Sequence, residues 1–313
     1  MLATYVKGRL SPGPDGIIAE LLKDATSTER SIILQWINEV LTTDNPGHKL
    51  SVKEVHGLVA LLHKGGGSTV RAENYRPVVL LNSLFQLVSY IIQERLVRIV
   101  EGSNILEPGQ GGFRARRGCD INMHKLDFIT REAQRKTSNA FVRIDVDFEN
   151  AFNSVPHEHL FAVLRAFEIP DIDLLESVYA VATVSLAQER GKGGGVTFDT
   201  GVQQGSVLSP TLFNVFLNPL LRLLTAVGHQ KGIAHGIKGI TAFNNLAFAD
   251  DLTIVAEIRR LGVPGGAAQT LLNVIEEFSN WSGMEVKIIK SCGMWVGAER
   301  DLKLPLTLTF REQ

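Results

Sequence analysis

Phe141-Val142-Arg143-Ile144-Asp145-Val146-Asp147-Phe148 is the stretch on which the fold turns. Apolar and polar residues alternate along it with the period of a half-buried strand, so Arg143, Asp145 and Asp147 share one face and the other face points to a core. The strand therefore delivers carboxylates to a surface. A second stretch, Ala247-Phe248-Ala249-Asp250-Asp251-Leu252-Thr253-Ile254-Val255, sets two acids at the centre of an apolar run, the pattern of a hairpin whose tight turn carries Asp250 and Asp251. An Asp-Asp pair on its own is most often a solvated turn, because Asp suits turn backbones. Within an apolar strand it is costly. Burial penalises the charge and each carboxylate raises the proton affinity of the other, a conflict that a bound cation resolves.

Working outward, helical spacing runs over Ile17 to Lys23, Ile32 to Leu41, Ile121 to Lys136, Pro156 to Phe167, Pro170 to Val178 and Gln269 to Trp281. Leu84, Val88, Ile91, Ile92, Leu96 and Ile99 recur at three and four and predict a long core-facing helix. Ser209-Pro210 reads as the cap and first turn of another, reaching about Leu224. Val55 to Leu62 is short and β-branched enough for a strand ending at Lys64-Gly65-Gly66-Gly67. Val184 to Gln188 and Val196 to Thr200 are expected to pair over the loop Gly191 to Gly195, and Val286 to Ile289 with Gly293 to Val296. Strands and helices interleave without a regular βαβ rhythm, so the class is α+β with an antiparallel sheet.

The 313 residues, 44% hydrophobic and 21% charged, suffice for a full core. Lys and Arg number 32 against 33 Asp and Glu, so no whole-chain field attracts a polyanion, and any nucleic-acid contact must use local basic patches. The best of these is Arg114, Arg116 and Arg117 in the Gly-rich loop from Glu107 to Gly118. Cys119 and Cys292 have no partners at zinc spacing and form no disulfide framework, which favours an intracellular, reducing location. Met1 to Arg9 lacks a signal-peptide core, and no run approaches the roughly 18 to 20 uninterrupted apolar residues of a spanning helix, so no membrane role is expected.

Taken in order, Tyr75-Arg76-Pro77, Gln110-Gly111-Gly112-Phe113-Arg114, Asp147-Phe148-Glu149-Asn150-Ala151-Phe152, the run Gly201-Val202-Gln203-Gln204-Gly205-Ser206-Val207-Leu208-Ser209-Pro210, Phe248-Ala249-Asp250-Asp251 and Lys290-Ser291 resemble the motif series of reverse transcriptases. The type is that of non-LTR retrotransposons and their group II intron relatives. The resemblance implies a right-hand polymerase with fingers over 1–139, residues 140–150 entering the palm, a palm over 140–300 and a connection from 301 to 313 toward a thumb that the chain lacks. It implies an RNA-directed DNA polymerase adding deoxynucleoside triphosphates to a DNA primer on an RNA template. Two Mg²⁺ ions, or Mn²⁺, would be held by Asp147, Asp250, Asp251 and the carbonyl of Phe148. Asp145 is the competing acid, but the spacing to Ala151-Phe152 matches the family only from Asp147.

The resemblance further makes Phe152 a steric gate against the ribose 2′-hydroxyl, and Gln204 and Gly205 a surface for the nascent base pair. Arg76 and Lys64 become the triphosphate grip, Lys290 the acid that protonates pyrophosphate, and Arg114, Arg116 and Arg117 contacts to template phosphates. Gln86, Asn153 and Lys287 depart from the family's usual lysine, acid and asparagine. Beyond Leu304-Pro305-Leu306 nothing resembles a primer grip or thumb, which motivates a second reading, a non-catalytic retroelement-derived nucleic-acid-binding protein.

Overall fold

The structure, a computed structural model, describes residues 11–18, 20–42, 50–135, 140–187, 195–230, 243–257 and 266–297. In chain order its main elements are α1 (Ser27–Leu41), β1 (Gly57–His63), β2 (Tyr75–Leu81), α2 (Ser83–Gly102), α3 (Cys119–Arg135), β3 (Phe141–Val146), α4 (His157–Ala166), α5 (Ile172–Val181), β4 (Val184–Leu186), α6 (Ser209–Gln230), β5 (Asn245–Phe248), β6 (Asp251–Glu257), α7 (Gly266–Ser282) and β7 (Cys292–Val296). The class is the expected mixture of helices with predominantly antiparallel sheet. The chain forms two compact units, Met1–Ser103 with Leu160–Leu212, and Asn104–His159 with Phe213–Gln313. The chain visits each unit twice. Residues 1–10, 188–194 and 298–313 lie outside the described residues, and with them Met1 to Arg9, most of the Gly191 to Gly195 loop, and Leu304-Pro305-Leu306.

In the first unit, β1 and β2 form an antiparallel hairpin from Gly57↔Leu81 to His63↔Tyr75. A capping box starts α1: Thr26 Oγ1 accepts from the Glu29 N–H, and the Glu29 carboxylate accepts from the Thr26 N–H at 2.7 Å. Along α2 the buried stripe is Phe85, Val88, Ile92, Leu96 and Val100, one step round from the expected one, with Leu84, Ile91 and Ile99 at its margin. The expected 184–200 hairpin shrinks to a single bridge in which Val184 and Val196 exchange N–H···O bonds of 3.0 and 2.8 Å. The rest of β4 instead pairs in parallel with β1, from Gly57↔Val184 to Val59↔Leu186, because the buried edge of β1 offers a longer ladder.

In the second unit, the strands run β5-β6-β3-β7, all antiparallel. Val142, Ile144 and Val146 lie on one face with Leu252, Ile254 and Ala256, and all are buried. The opposite face is split. At one end Phe141, Val255 and Val296 are covered by Ile129 and Ala133 of α3, while Arg143, Asp145 and Thr253 further along stay partly open. Val286 to Ile289 does not pair with β7, contrary to the pairing expected from pattern. Val286 bridges Phe148, Ile288–Lys290 is a 3₁₀ turn, and β7 pairs with β3.

Helix α6 is apolar nearly all round, with Phe213, Val215, Phe216, Leu217, Leu220, Leu221 and Leu224 fully buried. By length and composition it could cross a membrane, yet 67% of its most apolar window is buried inside the protein, which is how a core helix behaves. Its two buried amides are spent on one loop of the second unit. Asn218 donates to Ile105 O at 2.8 Å and accepts from the Glu107 N–H at 2.8 Å, and Asn214 donates to Gly112 O at 2.7 Å.

Candidate active site

Asp147 immediately follows β3 and is held through its backbone. Its N–H donates to Ser291 Oγ at 3.2 Å, its carbonyl accepts from the Lys287 N–H at 2.7 Å, and Ser291 Oγ donates on to Lys287 O. The pairing Phe248↔Asp251 closes a two-residue connection, Ala249-Asp250, so Asp250 stands at the tip and Asp251 opens β6 instead of sharing the turn. The third acid of the strand face, Asp145, is already engaged: Thr253 Oγ1 donates to it at 2.6 Å and Arg143 Nε at 3.0 Å. Among the described residues the Asp147 carboxylate meets a looser partner, Lys290 Nζ at 3.9 Å. An open groove of about 510 Å³ is bordered by Arg143, Asp145, Asp147, Asp251, Thr253 and Lys290.

Electrostatics separates these acids. Asp250 is raised from the usual carboxylate value, chiefly by burial, which outweighs an opposing hydrogen bond from its own backbone, and to a lesser degree by the charges of Asp251 and Asp147. Asp251 is raised as well, by burial and then by Asp147 and Asp145. The three carboxylates thus feel one another. Among the described residues no three His, Cys, Asp or Glu side chains are drawn close enough to make a ready-formed metal cage, as expected of acids whose charges repel. Hard oxygen donors with a surplus of negative charge are the donor set that a divalent cation such as Mg²⁺ takes.

Phe148 is buried and bridges Val286, leaving its backbone beside Asp147. Phe152 follows on a 3₁₀ turn entered through Asn150 at φ 47°, and its ring stacks on Phe213 with centroids 4.3 Å apart. Phe113, 57% exposed and left-handed at φ 55°, meets Phe152 edge-on at 6.4 Å. The expected arginine cluster divides. Arg114 is only 8% exposed and its guanidinium donates to the carbonyls of Glu107 and Gln110, so it holds its own loop together and is not available to phosphates. Arg116 and Arg117 remain exposed.

The remaining predicted residues belong to the first unit. Continuing the β1–β2 alternation puts Lys64 and Arg76 on one face of the hairpin, both exposed, with the Lys64 amine resting on Glu73 O at 2.8 Å. Gln204 and Gly205 dock on β2, where the Val79 N–H donates to Gln204 O at 2.6 Å. Gly205 has φ 120°, and a Cβ there would lie 2.2 Å from the Val79 carbonyl oxygen.

Residues 62–301 match the reverse transcriptase (RNA-dependent DNA polymerase) family. The chain belongs to that family. It is 29% identical over 291 residues to the Pol polyprotein of the type-2 retrotransposable element R2DM of Drosophila melanogaster, covering 92% of this chain and 25% of that protein. It is 30% identical over 252 residues to the Pol polyprotein of the type-1 element R2 of Popillia japonica, covering 78% and 33%. The chain therefore spans a quarter to a third of these relatives' length, and the domain is of the non-LTR retrotransposon type. A Candida tropicalis telomerase structure, solved with a fragment of telomeric RNA, shares the fold at TM-score 0.55 and 13% identity over 86% of this chain and 45% of that one.

Pattern reading of this reverse transcriptase domain missed three positioning side chains. Ser291 and Thr253 pin Asp147 and Asp145 across strands, and only the register reveals it. Gln110 is fully buried, with its amide on the backbone at Ala249. A long polar side chain among glycines was the available signal, since such a residue in a buried loop must find backbone partners.

Proposed function

We propose that the open end of the second unit's sheet is the catalytic centre of an RNA-directed DNA polymerase that adds deoxynucleotides to a primer 3′-hydroxyl. The observation that carries this reading is the approach of Asp147, at the end of β3, to the adjacent acids Asp250 and Asp251 of the β5–β6 connection, whose ionisation its charge opposes. These carboxylates, with the Phe148 carbonyl, would hold two Mg²⁺ or Mn²⁺ ions. Bound there, such ions would supply activation of the attacking hydroxyl and charge stabilisation for the leaving oxygen.

The chain's own residues do the rest. Ser291 and the Lys287 N–H fix the backbone at the end of β3, and so the point from which the Asp147 carboxylate projects. Lys290, 3.9 Å from the Asp147 carboxylate, would give a proton to departing pyrophosphate. Phe152, backed by Phe213, is rigid enough to exclude a 2′-hydroxyl by collision. Lys64 and Arg76 supply charge for a triphosphate, the first as a point charge and the second as a planar fork. Gln204 and Gly205 offer a backbone surface for the base pair, and Arg116 and Arg117 contacts for template phosphates. The β1–β2 hairpin corresponds in this reading to fingers and the four-stranded antiparallel sheet to palm.

Primer extension on an RNA template with Mg²⁺ and deoxynucleotides tests the assignment. Asp250→Asn is expected to lower the extension rate by about a thousandfold or more, since the acid acts only in stabilising the transition state. Equal extension by the wild type and the variant would refute it.

A further inference from the structure

The connection that carries Asp250 is held in a conformation its own sequence disfavours. Ala249 has φ 56°, the left-handed region that a Cβ-bearing residue other than Asn or Asp rarely adopts. A two-residue hairpin connection favours a positive φ at its first residue, where glycine commonly stands, so alanine there needs a further restraint. The restraint comes from the loop before α3, and its agent is one side chain.

Gln110 has no solvent exposure. Its Oε1 accepts from the Ala249 N–H at 2.9 Å and the Gly112 N–H at 2.9 Å, while its Nε2 donates to the Ala249 carbonyl at 3.1 Å. Both backbone groups of Ala249 are thus satisfied by one amide, and only in this conformation can they meet it together. The loop is itself anchored on β5. Gly111 N–H donates to Ala247 O at 2.8 Å, Ala247 N–H donates to Gly109 O at 3.0 Å, and Asn122 donates to Ala247 O at 3.0 Å. Gly112 allows the approach, since a Cβ there would lie 2.3 Å from the Ala249 nitrogen, and Asn214 of α6 holds the Gly112 carbonyl at 2.7 Å.

We infer that Gln110 is a positioning residue for catalysis: by locking Ala249 it fixes where the neighbouring Asp250 carboxylate stands, and so sets the affinity of the acid site for a divalent ion. The inference rests on the reading of Asp250 as a metal ligand. Gln110 touches no substrate and acts only through Ala249. Glutamate could not replace it, because its second oxygen would face the Ala249 carbonyl with no hydrogen to donate.

Gln110→Met keeps length and fills the space without hydrogen bonds. Three measurements are made on wild type, Gln110→Met, the double variant Gln110→Met/Ala249→Gly, and Asp250→Asn. They are amide hydrogen exchange, titration of Mn²⁺ alone followed by electron paramagnetic resonance, and primer extension. Gln110→Met should exchange faster at Ala249 and Gly112 while distant amides stay protected, and bind Mn²⁺ about 10- to 100-fold more weakly, the range for residues that orient metal ligands. Its kcat should fall by a similar factor with nucleotide KM little changed. The glycine should restore part of both losses, because glycine adopts the left-handed conformation unaided; a merely destabilised loop would not be rescued this way. Wild-type Mn²⁺ affinity in Gln110→Met, or no recovery in the double variant, would overturn the inference. If wild type binds Mn²⁺ no better than Asp250→Asn, the metal-site reading itself falls, and the inference with it. The amide exchange then still reports whether Gln110 holds the turn.

Discussion

At Asp250, burial and neighbouring charge both oppose ionisation, so the folded chain binds its proton more tightly than the unfolded chain does. Stability from this group is greatest below the ordinary carboxylate range and declines as pH rises from there through the raised value, because the unfolded state releases its proton first. At neutral pH without divalent ions the acid is therefore a liability. Asp250→Asn is expected to raise the melting temperature there by a few degrees, and Mg²⁺ to raise the wild type but not the variant; thermal melts with and without chelator check both statements. Phe152→Val should admit ribonucleotides, raising their kcat/KM relative to deoxynucleotides by about tenfold or more, measured by single-nucleotide incorporation. Motif spacing favoured Asp147 over Asp145, but a physical difference between the two was not legible: Thr253, which donates to Asp145, lies on β6 and becomes its neighbour only through register. Three arginines in one loop likewise read as one patch, whereas the carbonyls of Glu107 and Gln110 select Arg114 for burial.

Among elements, strongly periodic helices and the strand alternation of β3 were readable because their apolar spacing directly records which face is buried. So was the β5–β6 hairpin, but long-range pairings were not: beyond its local bridge to Val196, Val184 also pairs with Gly57, and Val286 pairs with Phe148, by competition that no local pattern reports. The docking of the Gln204-Gly205 turn on β2 belongs to this scale. Gly205→Ala must both distort φ from 120° and displace the Val79 carbonyl, so it is expected to cost about 2 to 4 kcal/mol, read from denaturant melts. A loss under 0.5 kcal/mol would mean the turn is not seated there. Asn218 shows how a buried amide can serve elements apart: its one side chain satisfies backbone groups of Ile105 and Glu107, and thereby holds the loop that Gln110 occupies.

For the molecule as a whole, a net charge of −1 leaves nucleic-acid affinity to a few local cations. Binding to a primer-template should then weaken with salt only gently, and the Arg116→Ala/Arg117→Ala pair should flatten the slope of log K against log[KCl] by about 1.4 to 1.8, given roughly 0.7 to 0.9 per neutralised phosphate. Fluorescence anisotropy across a KCl series measures it, and an unchanged slope would remove these arginines from the interface. The interleaving of the two units, Met1–Ser103 resuming at Leu160–Leu212 and Asn104–His159 resuming at Phe213, has a consequence for biosynthesis. A ribosome working at about 5 to 20 residues per second releases the opening segment on the order of ten seconds before its complement exists. Meanwhile β1, still lacking β4, and the apolar stripe of α2 must wait in company with half of the other unit, a natural interval for chaperones to act.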